Sequence, residues 1–379
     1  MAILIVDDNQ VNLFLIEKIL KRAGYTNYRS FLSARKMLEY VQIDNPHPIE
    51  RPADVILMDI MMPEMDGIEA CRRLQEHPQT RDIPVIFVTA LEDSNKVSEA
   101  LDAGGSDYVM KPINKTELLA RIRVALRLKY EKDWHKEQDE KIQNELHLSM
   151  QVQKSLLSEP VVEDNLLIKA SYQPANTLAG DMYYWHKIDK NRYAVILLDM
   201  MGHGISASLV CMFISSVLRD LIRANPDPEH VIRGLNRWMS SLNSRNQQIP
   251  YYFTAIYGVV DTGAKTLQYV NAGHPSGFAL IDGTELAELK STTFAVGFFD
   301  TINVEKQVLT YKDSAQLLLF TDGVPETAEK HGLPGMDFMR EVASQHLEVN
   351  EQEPVDFLLS KDLQKVADDD ICVIVIQAS

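Results

Sequence analysis

The chain has 379 residues, of which 45% are hydrophobic, and a formal net charge of −16. That length accommodates two or three domains of about 150 residues each, and the acidic balance argues against an output that grips a nucleic-acid backbone, which demands clustered Lys and Arg. Cys71, Cys211 and Cys372 lie far apart and form no C-x-x-C pair, which argues against a disulfide framework and fits a reducing cytoplasm.

Short apolar runs alternate with amphipathic segments from the start. ILIV (3–6), RSFL (29–32), VILM (55–58), VIFV (85–88) and DYVM (107–110) predict strands. Apolar residues on successive positions are expected of parallel strands buried on both faces. The first run is too short for a signal peptide and ends on Asp7 and Asp8. Helical patterns fill the gaps. Residues 1–128 therefore read as a doubly wound α/β domain with a five-stranded parallel sheet, whose ligands sit at the carboxyl ends of the strands. Those ends carry Asp7 and Asp8, Asp59, Thr89 and Lys111. Adjacent carboxylates repel unless a cation separates them, and Mg²⁺ takes oxygen ligands while keeping waters and a phosphate oxygen. Asp59 is then placed to accept a phosphoryl group as a carboxylate nucleophile. Lys111 would neutralise the phosphoryl oxygens and Thr89 would hydrogen-bond one of them. The Pro-rich loop 43–54 reads as a surface connection.

The stretches LIVDDNQVN, VILMDIMMPEMDG, IFVTAL and GGSDYVMKPI resemble the receiver domain of two-component response regulators over all of 1–128. The resemblance implies that Asp59 is the phosphoacceptor. It also implies that Asp7, Asp8 and the carbonyl of Met61 help hold Mg²⁺, that Thr89 and Tyr108 form the switch pair, and that Lys111-Pro112 has a cis peptide. A sensor histidine kinase or phosphotransfer protein is the implied partner.

Residues 114–157 contain no Gly or Pro and are rich in charge. Leu118, Ile122 and Ala125 recur at helical spacing, as do Ile142, Leu146, Ser149, Gln153 and Leu156. This predicts one long helix or a short coiled coil, with 129–159 as a helical linker that is either solvated or dimerising.

Beyond Pro160, strand-like stretches lie at 193–198, 251–260, 266–273, 315–320 and 371–376, with helices near 204–223 and 228–243. The apolar helix after Gly204 reads as a core helix, since it carries small and polar residues and is short for a membrane span. The order predicts an α+β domain, sheets packed together with helices outside. Asp181, Asp199, Asp322 and 368–370 are acids at strand ends, several beside Gly. Two divalent ions could hold such a cluster together, activate a water and clamp a phosphate. His203 and His274 each lie in a Gly-rich turn and read as hydrogen-bonding loop residues.

The order of AGDMYYW, DMMGHGISAS, FTAIYGVVD, YVNAGHPSGFAL, LLLFTDGVPE and DDICVIVI resembles the metal-dependent serine/threonine phosphatase (PPM) family, specifically its bacterial sporulation and stress-response branch. The resemblance covers nearly all of 160–379 and implies a β-sandwich flanked by helices. Carried over, Asp199 bridges two Mn²⁺ or Mg²⁺ ions, the carbonyl of Met200 binds one, Asp322 and Asp369 hold the other, and Asp181 supports the site. The attacking group is water. Ala179 and Tyr184 depart from the Gly-Gly-Asp-x-x-Asp pattern, and Cys372 stands where Thr is usual. VILMDIMM at 55–62 and VILLDMM at 195–201 are thus convergent: each ends a buried strand on a carboxylate aimed at a metal or phosphoryl group.

Together these readings give a cytoplasmic response regulator whose output is a protein phosphatase. Its implied substrate is a phosphorylated anti-sigma-factor antagonist in a partner-switching pathway, and a homodimer through the linker is the expected assembly where that linker dimerises. The rival is a phosphatase-like adaptor that binds a sigma factor or other partner without catalysis. No nucleic-acid or membrane partner is expected.

Overall fold

The computed structural model describes residues 2–41, 53–90, 94–202, 204–245, 250–349 and 352–379. Most of loop 43–54, and His203, lie outside them. The chain divides into two compact units, Met1–Ile142 and Gln143–Ser379.

The first unit runs β1 (Ile3–Val6), α1 (Gln10–Arg22), β2 (Tyr28–Phe31), α2 (Ala34–Val41), β3 (Val55–Met58), α3 (Gly67–Glu76), β4 (Val85–Thr89), α4 (Ser94–Asp102), β5 (Asp107–Met110) and the start of α5 (Lys115–Leu156). Its sheet is parallel, in the order β2-β1-β3-β4-β5. Alternation explains the unbroken apolar runs. Ile3, Ile5, Val55 and Leu57 face one core, while Leu4, Val6, Ile56 and Met58 face the other. The first turns of α5 cover the former core with Leu118, Ile122 and Ala125. This is the doubly wound receiver fold.

The second unit continues with β6 (Val161–Glu163), β7 (Leu166–Gln173), β8 (Asp181–Lys187), β9 (Arg192–Met200), α6 (Ile205–Ala224), α7 (Pro228–Arg245), β10 (Phe253–Asp261) and β11 (Thr266–Ala272). Then come β12 (Gly277–Ile281), β13 (Glu285–Leu289), β14 (Gln307–Thr310), β15 (Ala315–Phe320), α8 (Gly323–Lys330), α9 (Gly335–Ala343), α10 (Lys361–Gln364) and β16 (Ile371–Ala378). Two antiparallel sheets form, β14-β11-β10-β9-β8 and β13-β12-β15-β16-β7-β6. Val195 and Leu197 of one sheet meet Leu317, Cys372 and Ile374 of the other in the sandwich core. The opposite face of β9, with Ala194, Ile196 and Leu198, packs under α6 and α7. The outer face of β16 (Val373, Val375) packs with residues of α8 and α9.

Helix α6 is long and apolar enough to cross a membrane by length and composition. Its Cys211, Ile214, Leu218 and Ile222 are buried in the domain core, as expected of a core helix. The strands β6, β7, β8, β12, β13 and β14 lie beyond the simple meander that hydropathy suggests. Several are half-exposed, such as β13 and β14, so their sequences carry no continuous apolar run.

Gln153, expected in an outward linker seam with Ile142, Leu146, Ser149 and Leu156, turns inward and is 3% exposed. Its amide pairs with the backbone of Ala179, and the following Leu157 packs against the domain core. Ile142, Leu148 and Val152 are the exposed apolar residues of this stretch.

Candidate active site and phosphoacceptor site

In the first unit, the carboxyl ends of β1, β3, β4 and β5 bring Asp7, Asp8, Asp59, Thr89 and Lys111 to one crevice. The carboxylate oxygens of Asp7, Asp8 and Asp59 lie within 4.8 Å of one another. Asp7 and Asp59 are buried, whereas Asp8 is exposed. Lys111 Nζ stands 2.6 Å from Asp59 Oδ2 and 2.9 Å from Asp7 Oδ2. Asp7 also accepts from Asn9 N–H at 2.9 Å and from Asn12 Nδ2 at 3.0 Å. Burial pushes the Asp59 carboxyl up, and the Lys111 hydrogen bond holds it back. Burial would lower the Lys111 ammonium, but its bonds to Asp59 and Asp7 outweigh that and raise it.

The loop after Asp59 folds tightly. Met61 N–H approaches Asp59 Oδ1 at 3.4 Å, and Gly67 N–H donates to Ile60 carbonyl at 2.9 Å. A Cβ on Gly67 would sit 2.1 Å from the Asp59 carbonyl oxygen, so only Gly fits. Thr89 is fully buried at the end of β4, and Lys111 N–H donates to its carbonyl at 2.8 Å. The Lys111-Pro112 peptide is cis. Tyr108 is half-buried, with the Arg121 guanidinium 5.7 Å from its ring centroid.

In the second unit, Asp181 and Asp199 are direct partners across the β8–β9 ladder. Asp181 is 2% exposed and its Oδ2 has no hydrogen-bond partner. Burial, then the charges of Asp199 and Asp370, raise its carboxyl well above the usual range. Burial, together with repulsion from Asp322, Asp369 and Asp370, pushes Asp199 up to about 7. Asp322 precedes α8 at its N-cap position without a side-chain capping bond. Burial, then Asp369 and Glu326, raises it.

The run 368–370 divides by surroundings. Asp370 is buried and its two oxygens accept from Ala175 N–H at 2.8 Å and Gly180 N–H at 2.7 Å. Asp368 is exposed and pairs with Lys330 at 3.1 Å. Asp369 is half-buried and its charge acts on both Asp322 and Asp199. Met200 donates its N–H to Gly180 carbonyl at 3.3 Å. The acids here are more widely spaced than in the first unit: among the described residues, only Asp7, Asp8 and Asp59 form a three-acid cluster at the 4.8 Å limit. An orphaned buried carboxylate oxygen beside three further acids, all hard oxygen donors, fits divalent cations of the Mg²⁺ or Mn²⁺ type.

His274, expected as a hydrogen-bonding loop residue, is buried with Nδ1 2.8 Å from Thr254 Oγ1. Thr254 is the β10 partner of Asp199. Burial lowers the His274 imidazole to about 3 and keeps it neutral. Tyr184, at an outer position of the first acidic motif, lies under the Arg219 guanidinium at 5.1 Å. Cys372 faces the sandwich core.

The family model for Stage II sporulation protein E (SpoIIE) matches residues 189–379, half of the chain. The chain belongs to the SpoIIE family. The response regulator receiver domain model matches residues 3–123. The chain is thus a receiver domain joined to a PPM-type phosphatase domain of the SpoIIE family, a family that implies divalent metal ions. It is 36% identical over 180 residues to phosphoserine phosphatase RsbP of Bacillus subtilis (strain 168), covering 48% of this chain and 45% of that protein. It is also 39% identical over 127 residues to response regulator PleD of Caulobacter vibrioides, covering 34% of this chain and 26% of PleD. The chain therefore spans less than half the length of either. Among solved structures, the PP2C phosphatase domain of SpoIIE from Bacillus subtilis is similar at 19% identity and a TM-score of 0.49, over 56% of this chain and 62% of that one.

Two residues lie beside the acids in a way their sequence signals did not indicate: Gly180, whose N–H reaches Asp370, was marked only as a Gly before Asp181, and Gln153, which pairs with the Ala179 backbone, only as a Gln at helical spacing.

Proposed function

We propose that this chain is a response regulator in which phosphorylation of Asp59 controls hydrolysis of a phosphoserine or phosphothreonine protein at the Asp199 site. One observation carries the reading: buried Asp181 and half-buried Asp199 face each other in a chain that also holds the Asp59–Lys111 pair. Asp181, Asp199, Asp322, Asp369 and the carbonyl of Met200 would hold two Mn²⁺ or Mg²⁺ ions. When bound, such ions activate a water and neutralise phosphoryl oxygens. The protein's part is to keep these acids on rigid strand ends, so that no side-chain nucleophile is needed. In the receiver, Asp7, Asp8, Asp59 and the Met61 carbonyl would hold Mg²⁺. Lys111 is placed to neutralise the incoming phosphoryl group and Thr89 to hydrogen-bond it. Tyr108, packed beside Arg121, is the second residue of the proposed switch.

The proposed phosphodonor is a sensor histidine kinase or phosphotransfer protein. The proposed substrate is a phosphorylated anti-sigma-factor antagonist, a reading supported by the similarity to RsbP. Control would pass along α5, which is one continuous helix, and pairing of two copies through it is the proposed means. Retention of all four acids supports catalysis over the adaptor reading. The test is release of phosphate from a phosphorylated antagonist, with and without phosphorylation at Asp59. Turnover that responds to Asp59 is expected; metal-replete protein that binds the antagonist without hydrolysing it would favour the adaptor.

A further inference from the structure

The end of α5 is tied into the second unit's acidic site through backbone. Gln153 Nε2 donates to the Ala179 carbonyl at 2.7 Å, and its Oε1 accepts from Ala179 N–H at 3.2 Å. One buried side chain thus satisfies both backbone groups of a single residue, as a neighbouring strand would. The next residue, Gly180, donates to Asp370 Oδ2 at 2.7 Å and accepts from Met200 N–H at 3.3 Å. The packing there is close: a Cβ on Gly180 would lie 2.8 Å from Gly202 carbonyl oxygen and 3.2 Å from that of Met200. Asp181 follows directly. A second tie holds the same helix end, where Arg219 of α6 donates to the Leu156 carbonyl at 3.4 Å while covering Tyr184.

We infer that Gln153 is a positioning residue for the second metal site: it fixes the start of β8 so that Asp181 and the Met200 carbonyl converge, making cation affinity depend on the placement of α5. The inference rests on the reading of Asp181, Asp199 and Met200 as ligands and names the contact through which α5 would act on them. Truncating Gln153 leaves both Ala179 groups unpaired in a buried place, with no change to any ligand. Loss of such an outer partner costs about 10–100-fold in metal affinity.

The experiment is calorimetric titration of the full chain with Mn²⁺ alone. It compares wild type, Gln153→Ala, Gln153→Glu and Gln151→Ala, with metal-free melting and aryl phosphate hydrolysis recorded alongside. Gln151 is exposed on the same helix and serves as control. Gln153→Ala should weaken Mn²⁺ binding by about tenfold or more, with turnover largely restored at saturating Mn²⁺. Gln153→Glu keeps an acceptor for Ala179 N–H but cannot donate, and should weaken binding as well. Gln151→Ala should match wild type. Wild-type Mn²⁺ affinity in Gln153→Ala overturns the inference, and so does wild-type affinity in Gln153→Glu should Gln153→Ala not fold. A wild type that binds Mn²⁺ no better than an Asp199→Asn variant overturns the metal-site reading itself.

Discussion

Asp181 and Asp199 stand opposite each other across β8 and β9, and the Asp199 charge raises the affinity of Asp181 for a proton. Two carboxylates in that relation are poorly placed for stability alone. Without a cation, burial and repulsion favour the protonated form, whereas a divalent ion reverses the preference. Asp199→Asn should therefore reduce metal-dependent hydrolysis of an aryl phosphate by at least about a hundredfold, since even outer-partner losses reach that scale. EDTA should abolish the wild-type activity. Rates with Mn²⁺ for the two proteins decide it, and full activity in Asp199→Asn would sink the catalytic role.

The same pair sets a pH dependence for the metal-free protein. The Asp199 carboxyl titrates near 7 in the fold, against about 3.9 in an unfolded chain. Folding takes up protons between those values, so the contribution is fully present below about pH 4 and is lost as pH rises through about 7. Melting temperature in EDTA should fall from about pH 5 to about pH 8, and Asp199→Asn should flatten that slope. A flat wild-type profile would show that the pair does not titrate in this window.

Asp59 is the proposed phosphoacceptor. Beryllofluoride or acetyl phosphate, with Mg²⁺, should bind or modify the wild type and not Asp59→Ala. Mass spectrometry and a change in near-ultraviolet signal read the outcome. Labelling that survives in Asp59→Ala would place the acceptor elsewhere.

Gly67 is fixed by the Asp59 carbonyl, which a Cβ would meet at 2.1 Å. Gly67→Ala must displace backbone, so it should cost at least about 2 kcal/mol by chemical denaturation and weaken beryllofluoride binding. Gly24→Ala meets no atom within 4 Å, although its φ is positive, and should lose less. Equal stability of Gly67→Ala and wild type would contradict the packing described here.

Leu148 and Val152 are exposed apolar residues on α5, 60% and 55% accessible. If two copies pair through this helix, Leu148→Glu with Val152→Glu should leave melting within a few degrees, since exposed positions contribute little. The same change should prevent the doubling of mass expected of the wild type on beryllofluoride addition. Light scattering is the measurement, and a variant that still doubles in mass would place the pairing elsewhere.

The sequence by itself determined the two folds and most of the acids. Strands buried on both faces read as apolar runs, so β1, β3, β4, β9, β15 and β16 were legible, and an acid or lysine ending such a run marks where a rigid scaffold points. Hydropathy did not reveal β13 or β14, whose side chains are half in solvent and carry a weak pattern. Nor could it distinguish the three acids at 368–370, because their roles depend on which backbone amides reach them. The tertiary structure places Ala175 and Gly180 against Asp370, Lys330 beside Asp368, and Asp369 near Asp322. Gln153 shows the same limit. Its helical spacing suited an outward seam, but helical periodicity says which residues share a face, not what that face meets. Only the folded chain supplies Ala179, whose N–H and carbonyl need partners once water is excluded, and so turns that face inward.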